Sequence, residues 1–543
     1  MPGPNFILII TDQQRADYLG CYGHPTLETP HIDGIAARGT RFDRFYVSSP
    51  ICMPNRATLM TGRMPSRATI VTGQHPSTHG VWMNGVPLPV DAPSVAAELR
   101  RSGYRTALVG KAHLQNFTDA PPLVGREHRD GVRPPPESLA EAAKPLPFTE
   151  RYEQERPANW LAGPNFSLSQ PYYGFDHVRL CTRHGDRVGG HYFHWLRERH
   201  PNPASLTGPK NALPHDAVCP QAWRTAVPEE LYPTRYVAEE GIAYLRANAA
   251  ATGTAPFFLQ VSFPDPHHPF TPPGRYWDLY HPADMRLPPS FRKPDPKAQP
   301  HVAYLQAQLA SGTAVRSTPS CFAVTEREAR EAMALTCGMI AMIDDAVGRI
   351  LHELEALGMA DDTVIMVTSD HGDFMGDHQL LLKGPIHFQG LVRVPFLWAD
   401  PAAATHGTVA SALAGTIDIG ATVLERAGLQ PFNGMQGRSL LPIVADPARD
   451  HRAAILIEED GQRTSYGFDR PVRCRSLVTD RWRFTIYEGA AWGELYDLRD
   501  DPYERDNLWF DAGRAGLKGE LALALAHAEM AAADRSPLPT GQG

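Results

Sequence analysis

Two pairs of polar residues in this 543-residue sequence stand just after short apolar runs and could bind a metal ion together. Asp12 and Gln13 come after the run FILII, and Asp370 and His371 come after the run TVIMVT. Carboxylate, amide and imidazole groups from two distant parts of a chain can hold one divalent ion. The alternative is that Asp12 and Asp370 only cap the helices that follow them. The repeated pattern favours the metal site.

A lone cysteine, Cys52, stands in the stretch ICMPNRATLMTGR, ahead of a predicted helix. The helix dipole and Arg56 would favour its thiolate, which could act as a nucleophile with a histidine base. Most free cysteines, however, are simply buried. A soft thiolate beside a hard, oxygen-rich metal site is chemically unusual. This mismatch indicates that residue 52 is not a thiol in the working protein.

Further cationic and imidazole side chains stand near predicted strand ends. Lys111 and His113 lie two apart in VGKAHLQ, so a continued extended backbone would point both the same way. His267 and His268 lie in the proline-rich stretch PDPHHPF, and Lys383 follows the second apolar run in LLKGPIHFQG. Each has a plain alternative, which is an exposed or hydrogen-bonded side chain in a surface turn.

These side chains need a sheet that brings strand ends from distant parts of the chain to one edge. The runs FILII and TVIMVT have the composition of buried parallel strands. SVAAELRRSGYRTALVGK predicts a helix and then a strand, FFLQVSF another strand, and EAMALTCGMIAMIDDAVGRILHELEALG a long amphipathic helix. The alternation predicts an α/β fold with a large, doubly wound, mostly parallel sheet flanked by helices. Ligands bind such sheets at the carboxyl ends of the strands.

The chain is long enough for one large domain and a smaller one. We predict the large domain over residues 1–430, with insertions at about 115–230 and 285–325 that form loops over the strand ends. Residues 431–543 contain stretches that alternate apolar and polar positions. They predict a smaller C-terminal α+β domain with an antiparallel sheet and a terminal helix.

The bulk composition excludes several classes of protein. A net charge of -8 without a basic run argues against nucleic-acid binding. No apolar stretch approaches the roughly 20 residues of a membrane span, and the N-terminal apolar run lacks the features of a signal peptide. The seven scattered cysteines do not form a disulfide framework. We therefore expect a cytoplasmic protein.

Taken together, the motifs resemble those of the type I sulfatases of the alkaline phosphatase superfamily, and of their relatives the phosphonate monoester hydrolases. The signature of these enzymes is Cys-x-Pro-x-Arg, here Cys52 to Arg56, continuing to Thr61-Gly62-Arg63. Other matches are DQQRADYLGCYG, GKAHL, PHHPF, SDHGD and ELYDLRDDPYERDNLW, so the resemblance spans nearly the whole chain. In that family the signature cysteine is oxidised after translation to formylglycine, an aldehyde that is hydrated to a diol.

The resemblance implies a role for each matching residue. The implied metal ligands are Asp12, Gln13, Asp370, His371 and one diol oxygen of residue 52. Arg56 would hold the diol, and Lys111 and Lys383 would bind the sulfate oxygens.

Three further side chains receive roles from the resemblance. His113 would be the base that breaks down a covalent sulfoenzyme, and His267 would assist the leaving group together with Lys383. Asn84 would be an additional substrate contact of the phosphonate hydrolase kind. We prefer His267 over His268 because it directly follows a proline.

The sequence also departs from the sulfatase pattern. Many sulfatases have an acid where this chain has Gln13 and an asparagine where it has His371. Both changes resemble the phosphonate monoester hydrolases and favour Mn²⁺ over Ca²⁺ as the divalent ion. The pair Lys111 and His113 is instead the sulfatase pattern.

Two enzymatic functions and one binding function are therefore open. The first is a sulfuric ester hydrolase, similar to arylsulfatases, that cleaves aryl or small alkyl sulfates and is promiscuous. The second is a phosphonate monoester or phosphodiester hydrolase, and the third is a non-catalytic metal- or ligand-binding protein. The complete set of polar strand-end groups argues against the third. The resemblance implies a formylglycine-generating enzyme as a maturation partner, and we expect a homodimer.

Overall fold

The computed structural model describes residues 3–65, 79–123, 150–163, 166–251, 255–291, 298–464 and 466–533. The strands are β1 (Asn5–Thr11), β2 (Thr40–Phe42), β3 (Phe45–Tyr46), β4 (Arg105–Lys111), β5 (His177–Thr182), β6 (Gly189–Gly190), β7 (Phe257–Ser262), β8 (Phe322–Ala323), β9 (Thr363–Ser369), β10 (Leu380–Leu381), β11 (Phe396–Ala399), β12 (Thr408–Ala410), β13 (Ala414–Gly415), β14 (Ala454–Thr464), β15 (Pro471–Thr479), β16 (Trp482–Tyr487) and β17 (Gly493–Asp497). The α-helices are α1 (Pro30–Ala37), α2 (Cys52–Thr61), α3 (Val95–Arg101), α4 (Pro157–Leu161), α5 (His191–Arg199), α6 (Pro233–Ala250), α7 (Pro300–Ser311), α8 (Glu326–Ala356), α9 (Gln389–Val392), α10 (Ile417–Arg426), α11 (Leu441–Ala445) and α12 (Ala515–Ala532).

A nine-stranded sheet in the order β12-β2-β11-β9-β1-β7-β4-β5-β6 forms the centre of the molecule. Strands β9, β1, β7, β4 and β5 are mutually parallel, and β11 and β6 run against their neighbours. Alternate side chains of β1 enter two separate apolar clusters, Phe6, Leu8 and Ile10 in one and Ile7 and Ile9 in the other. Both faces of the sheet are therefore covered, as an uninterrupted apolar strand requires. The predicted fold class is confirmed.

The register of the central strands aligns their carboxyl ends. Thr11 at the end of β1 pairs with Ser369 at the end of β9, and Ile10 pairs with Ser262 of β7. On the far side Lys111 of β4 pairs with Cys181 of β5. Because these ends coincide, the residues that follow them share one edge of the sheet.

A four-stranded antiparallel sheet, β14-β15-β16-β17, follows in the C-terminal part of the chain. Helix α12 packs Leu521 and Leu525 against Leu477, Phe484 and Leu495 of this sheet. The division at residue 430 stays a prediction. Within the predicted insertion 115–230, β5 and β6 belong to the central sheet, and residues 124–149 lie outside the described part of the chain, as do residues 292–297 of the second insertion. Within the described ranges, no helix is both long and apolar enough to cross a bilayer.

A buried carboxylate joins helix α10 to the segment that leads into β14. Asp418 accepts hydrogen bonds from the backbone N–H of Arg438 at 2.8 Å and of Gly415 at 3.1 Å, and it pairs with Arg452 and His451. Burial alone would raise the pKa of Asp418, but Arg452 and His451 outweigh it and lower the pKa to about 2.

The depressed pKa of Asp418 indicates that its charged form stabilises the folded protein. Asp418→Asn should lower the free energy of unfolding by about 2 kcal/mol at pH 7. The contribution of the wild-type carboxylate is complete above its unfolded-state pKa near 4 and is lost as the pH falls toward 2. Urea unfolding of both proteins at several pH values measures this, and a difference that does not narrow below pH 4 would contradict it.

Candidate active site

Asp12 and Asp370 meet just beyond the paired ends of β1 and β9. The backbone N–H of Gln13, a residue with a φ of 65°, donates to Asp370 Oδ1 at 3.1 Å. The side-chain amide of Gln13 donates to Asp373 Oδ2 at 2.5 Å and lies 3.2 Å from His268 Nδ1. These contacts use the nitrogen of the amide and leave its oxygen available as a ligand.

Cys52 is the first residue of α2, all ten residues of which are buried. The side chain of Asn55 fixes this helix against the sheet, because Nδ2 donates to the backbone oxygen of Asp370 at 2.6 Å. The amide oxygen of Asn84 accepts a hydrogen bond from the backbone N–H of Met53 at 3.1 Å. Asn84 thus contacts the start of α2, while its predicted contact with substrate stays a prediction.

Two nitrogen-bearing side chains, Lys383 and His371, contact the sulfur of Cys52, and His267 contacts Lys383. Lys383 Nζ lies 3.0 Å from Cys52 Sγ, 3.1 Å from His267 Nε2 and 2.9 Å from His371 Nε2, and His371 Nε2 is itself 3.1 Å from Cys52 Sγ. Burial opposes ionisation of the thiol, but the charges of Lys383 and Lys111 outweigh it and lower the pKa of Cys52 to about 7. An anionic group at this position is therefore electrostatically favoured.

Arg56, four residues along α2, bridges the two acidic side chains. Its Nε donates to Asp370 Oδ2 at 2.7 Å, and its Nη2 lies 3.6 Å from Asp12 Oδ2. Its Nη1 donates to the backbone oxygen of Lys111 at 3.0 Å and to Ser262 Oγ at 2.9 Å. Burial would raise the pKa of Asp370, but the guanidinium of Arg56 holds it below its ordinary value. Arg56 therefore keeps the Asp370 carboxylate charged and links α2 to the ends of β4, β7 and β9.

Lys111 approaches the same oxygen of Asp12 as Arg56 does. Its ammonium pairs with Asp12 Oδ2 and lies 2.7 Å from His184 Nε2. The ring of His184 stacks on that of His267 at a centroid distance of 3.5 Å. Burial would raise the pKa of Asp12, but the charges of Lys111 and His267 lower it. Burial and the charge of Lys111 lower the pKa of His184 to about 3, so this ring is neutral near pH 7.

His113 lies at the edge of this group of side chains. The extended backbone ends at Lys111, and His113 adopts a φ of 52°, so the two side chains do not follow the alternation expected from their spacing. The ring of His113 stacks on Phe117 at 3.7 Å, and Phe117 meets His184 edge-on at 5.4 Å. Burial and the charge of Lys111 lower the pKa of His113, which favours the neutral form that can accept a proton.

Four side chains supply a set of donors that fits one divalent ion. One atom each of Asp12, Cys52, Asp370 and His371 lies within 4.8 Å of the others. Among the described residues, Asp12 Oδ1 and Gln13 Oε1 are buried without a hydrogen-bond partner. Such orphaned oxygen atoms are costly unless a cation or water satisfies them. His371 Nδ1 is 2.9 Å from the backbone oxygen of Gly372, a contact that leaves Nε2 as the nitrogen able to bind a metal ion.

The structure brings the predicted metal ligands into one cluster with four other predicted site residues, which are Arg56, Lys111, His267 and Lys383. His113 and Asn84 lie at the margin of this cluster. Sequence reasoning missed His184, although it stands two residues after β5, as Gln13 stands two residues after β1. It also missed Asp373, which stands inside SDHGD, and Glu155, for which the sequence holds no visible signal.

The sequence profile of the family described as Sulfatase matches residues 4–126 and 160–429. The chain belongs to the sulfatase family. A second profile, N-sulphoglucosamine sulphohydrolase, C-terminal, matches residues 376–531. The sulfatase resemblance inferred from the motifs is therefore confirmed, and the protein is a sulfatase-family enzyme.

Similar proteins include both sulfatases and phosphonate hydrolases. The chain is 27% identical over 519 residues to an arylsulfatase of Clostridium perfringens, covering 93% of this chain and 90% of that one. It is 27% identical over 558 residues to the multifunctional alkaline phosphatase superfamily protein PehA of Trinickia caryophylli, covering 99% and 97%. The crystal structure of the phosphonate monoester hydrolase of Agrobacterium radiobacter superposes with a TM-score of 0.73 at 26% identity, covering 98% and 97%.

Proposed function

We propose that this sulfatase-family enzyme hydrolyses aryl or small alkyl sulfate monoesters through a covalent sulfoenzyme at residue 52, which is converted from cysteine to formylglycine. The observation that carries the proposal is the convergence of Lys383 and His371 on Cys52 Sγ, within 3.1 Å, beside the charged pair Asp12 and Asp370. A diol oxygen at residue 52 would be activated by the same neighbours that favour an anion on its sulfur.

Different side chains around residue 52 would assist different steps of the reaction. Lys111 and Lys383 would offset the negative charge on the sulfate oxygens during transfer. Lys383 with His267, 3.1 Å apart, would stabilise the departing alcohol. His113 would accept the proton whose loss releases sulfate.

Asp12, Gln13, Asp370 and His371, together with residue 52, would hold one divalent ion, Mn²⁺ or Ca²⁺. When bound, such an ion supplies positive charge and lowers the pKa of an attached hydroxyl. The neutral ligands Gln13 and His371 make the donor set less anionic and favour Mn²⁺.

A second candidate activity is the hydrolysis of phosphonate monoesters or phosphodiesters. Gln13 and His371 favour it, and so does the likeness to the phosphonate monoester hydrolase of Agrobacterium radiobacter and to the multifunctional protein of Trinickia caryophylli. We therefore expect promiscuity, with the sulfate ester preferred because of Lys111 and His113.

A paired assay on one purified sample tests this order of preference. 4-Nitrophenyl sulfate should show a kcat/KM at least about tenfold above that of 4-nitrophenyl phenylphosphonate, a difference of ~1.4 kcal/mol. The two substrates share a leaving group, so the ratio compares how the site stabilises the two transition states. A preference for the phosphonate would overturn the proposal in favour of the second candidate.

The partners of the enzyme follow from the same proposal. Conversion of Cys52 requires a formylglycine-generating enzyme in the host. The homodimer and the cytoplasmic location stay predictions.

A further inference from the structure

A single buried carboxylate binds the loop that carries His113. Glu155 Oε2 accepts the backbone N–H of His113 at 2.9 Å, and Oε1 accepts those of Leu114 at 2.8 Å and Gln115 at 2.9 Å. The hydroxyl of Tyr172 donates to Oε1 at 2.7 Å. Glu155 is fully buried, so these four donors replace its water shell.

The neighbouring side chain of Gln115 locks the same two segments together. Its Oε1 accepts the backbone N–H of Gln154 at 2.9 Å, and its Nε2 donates to the backbone oxygen of Arg151 at 2.8 Å. The segment around Glu155 comes from the predicted insertion 115–230, which lies far from the signature residues in sequence. It nevertheless determines the path of the chain after β4.

His113 needs such support because its backbone is strained. Its φ of 52° lies in the left-handed region, which costs a residue with a Cβ atom roughly 1 kcal/mol or more. A carboxylate that receives three successive N–H groups offsets this cost through charge-assisted hydrogen bonds. Burial raises the pKa of Glu155, and the four donors oppose that rise by favouring the ionised form.

We propose that Glu155 is a positioning residue that holds His113 in place for the step that releases sulfate. The inference rests on the role given to His113 in the proposed function. The hydrogen bonds of Glu155 join it to the backbone of residues 113–115 and to Tyr172, not to Cys52 or Lys383. Its effect on the reaction therefore passes through the loop that carries His113. A displacement of about 1 Å in a reacting group is enough to slow a step about 100-fold.

Glu155→Gln tests this role because the amide has nearly the same shape but brings an NH₂ group against backbone N–H donors. We expect kcat for 4-nitrophenyl sulfate to fall about 10- to 100-fold, while kcat/KM stays within about threefold of wild type. The reason is that kcat/KM reports steps up to loss of the alcohol, whereas His113 acts afterwards. A burst of 4-nitrophenol, equal in amount to the active enzyme, should precede the slow steady state.

The control is Glu331→Gln, which alters another buried carboxylate that accepts two backbone N–H groups, those of Val218 at 2.8 Å and Cys219 at 2.7 Å. It should leave kcat unchanged and show no burst. Tyr172→Phe removes one donor but keeps the carboxylate, so it should fold even if Glu155→Gln does not, and it should show the same burst with a smaller fall in kcat.

A double-mutant cycle separates the inference from the proposed function. His113→Ala should itself show the burst, and adding Glu155→Gln should cause no further loss, because the two act as one unit. If His113→Ala is impaired but neither Glu155→Gln nor Tyr172→Phe is, the inference is wrong and the proposed function stands. If Glu155→Gln slows the His113→Ala enzyme further, Glu155 acts elsewhere. If His113→Ala is as active as wild type, the role of His113 in the proposed function is wrong.

Discussion

Cys52→Ser should release at most one equivalent of 4-nitrophenol from 4-nitrophenyl sulfate and then stop. A serine hydroxyl at this position lies among Lys383, His371 and the acidic pair, so it can still attack sulfur. It has no second hydroxyl whose deprotonation would expel sulfate, so the adduct should persist. We expect the steady-state rate to fall by at least about 10³-fold.

Rapid-mixing measurements of nitrophenol release test this prediction directly. The intact-protein mass after the burst tests whether the adduct persists. Cys52→Ala should show no burst, because no oxygen nucleophile remains. Cys21→Ser, which changes a half-buried cysteine outside the cluster, serves as the control and should keep full activity. Sustained turnover by Cys52→Ser would show that residue 52 does not need two oxygen atoms.

Lys383→Ala should lower kcat/KM for 4-nitrophenyl sulfate by about 10²–10³-fold, which corresponds to ~3–4 kcal/mol. Lys383 contacts Cys52, His267 and His371 at once. Its buried ammonium would meet the charge that develops on both the sulfate and the departing alcohol. The loss should be larger for phenyl sulfate than for 4-nitrophenyl sulfate, because the poorer leaving group needs more stabilisation.

Rates measured for a series of substituted phenyl sulfates test this second prediction. Lys210→Ala, at an exposed lysine, is the matched control and should leave every rate unchanged. An equal loss across the series would assign Lys383 to binding the sulfate oxygens alone. A loss of kcat/KM smaller than about threefold would show that Lys383 takes no part in the reaction.

The central part of the site could be predicted from the sequence because a buried strand that ends at the site appears as an apolar run followed by polar residues. The apolar runs before Asp12 and Asp370 become β1 and β9, whose register places Thr11 opposite Ser369. Parallel pairing then brings the following residues together, whichever helices connect the strands. His184 carries the same signal after β5, but the long irregular segment around it predicts loops rather than a strand.

Other features could not be predicted because they depend on backbone groups. Glu155 binds N–H donors some 40 residues away, and any residue type except proline offers such donors. The left-handed conformation of His113 breaks the alternation that a strand would impose on Lys111 and His113. The sequence predicts that Asn84 makes a polar contact near the site. Only the structure shows that its amide oxygen accepts a hydrogen bond from the backbone N–H of Met53.

The role of formylglycine at residue 52 is tested most directly with preparations that differ in their degree of maturation. In each preparation, peptide mass gives the fraction of residue 52 that carries the aldehyde, and a steady-state assay gives kcat for 4-nitrophenyl sulfate. If formylglycine at residue 52 is the nucleophile, kcat per enzyme molecule should rise in proportion to that fraction and extrapolate to zero when every molecule keeps the thiol of Cys52. Activity that is independent of the fraction, or full activity in protein that carries only the thiol, would contradict this role.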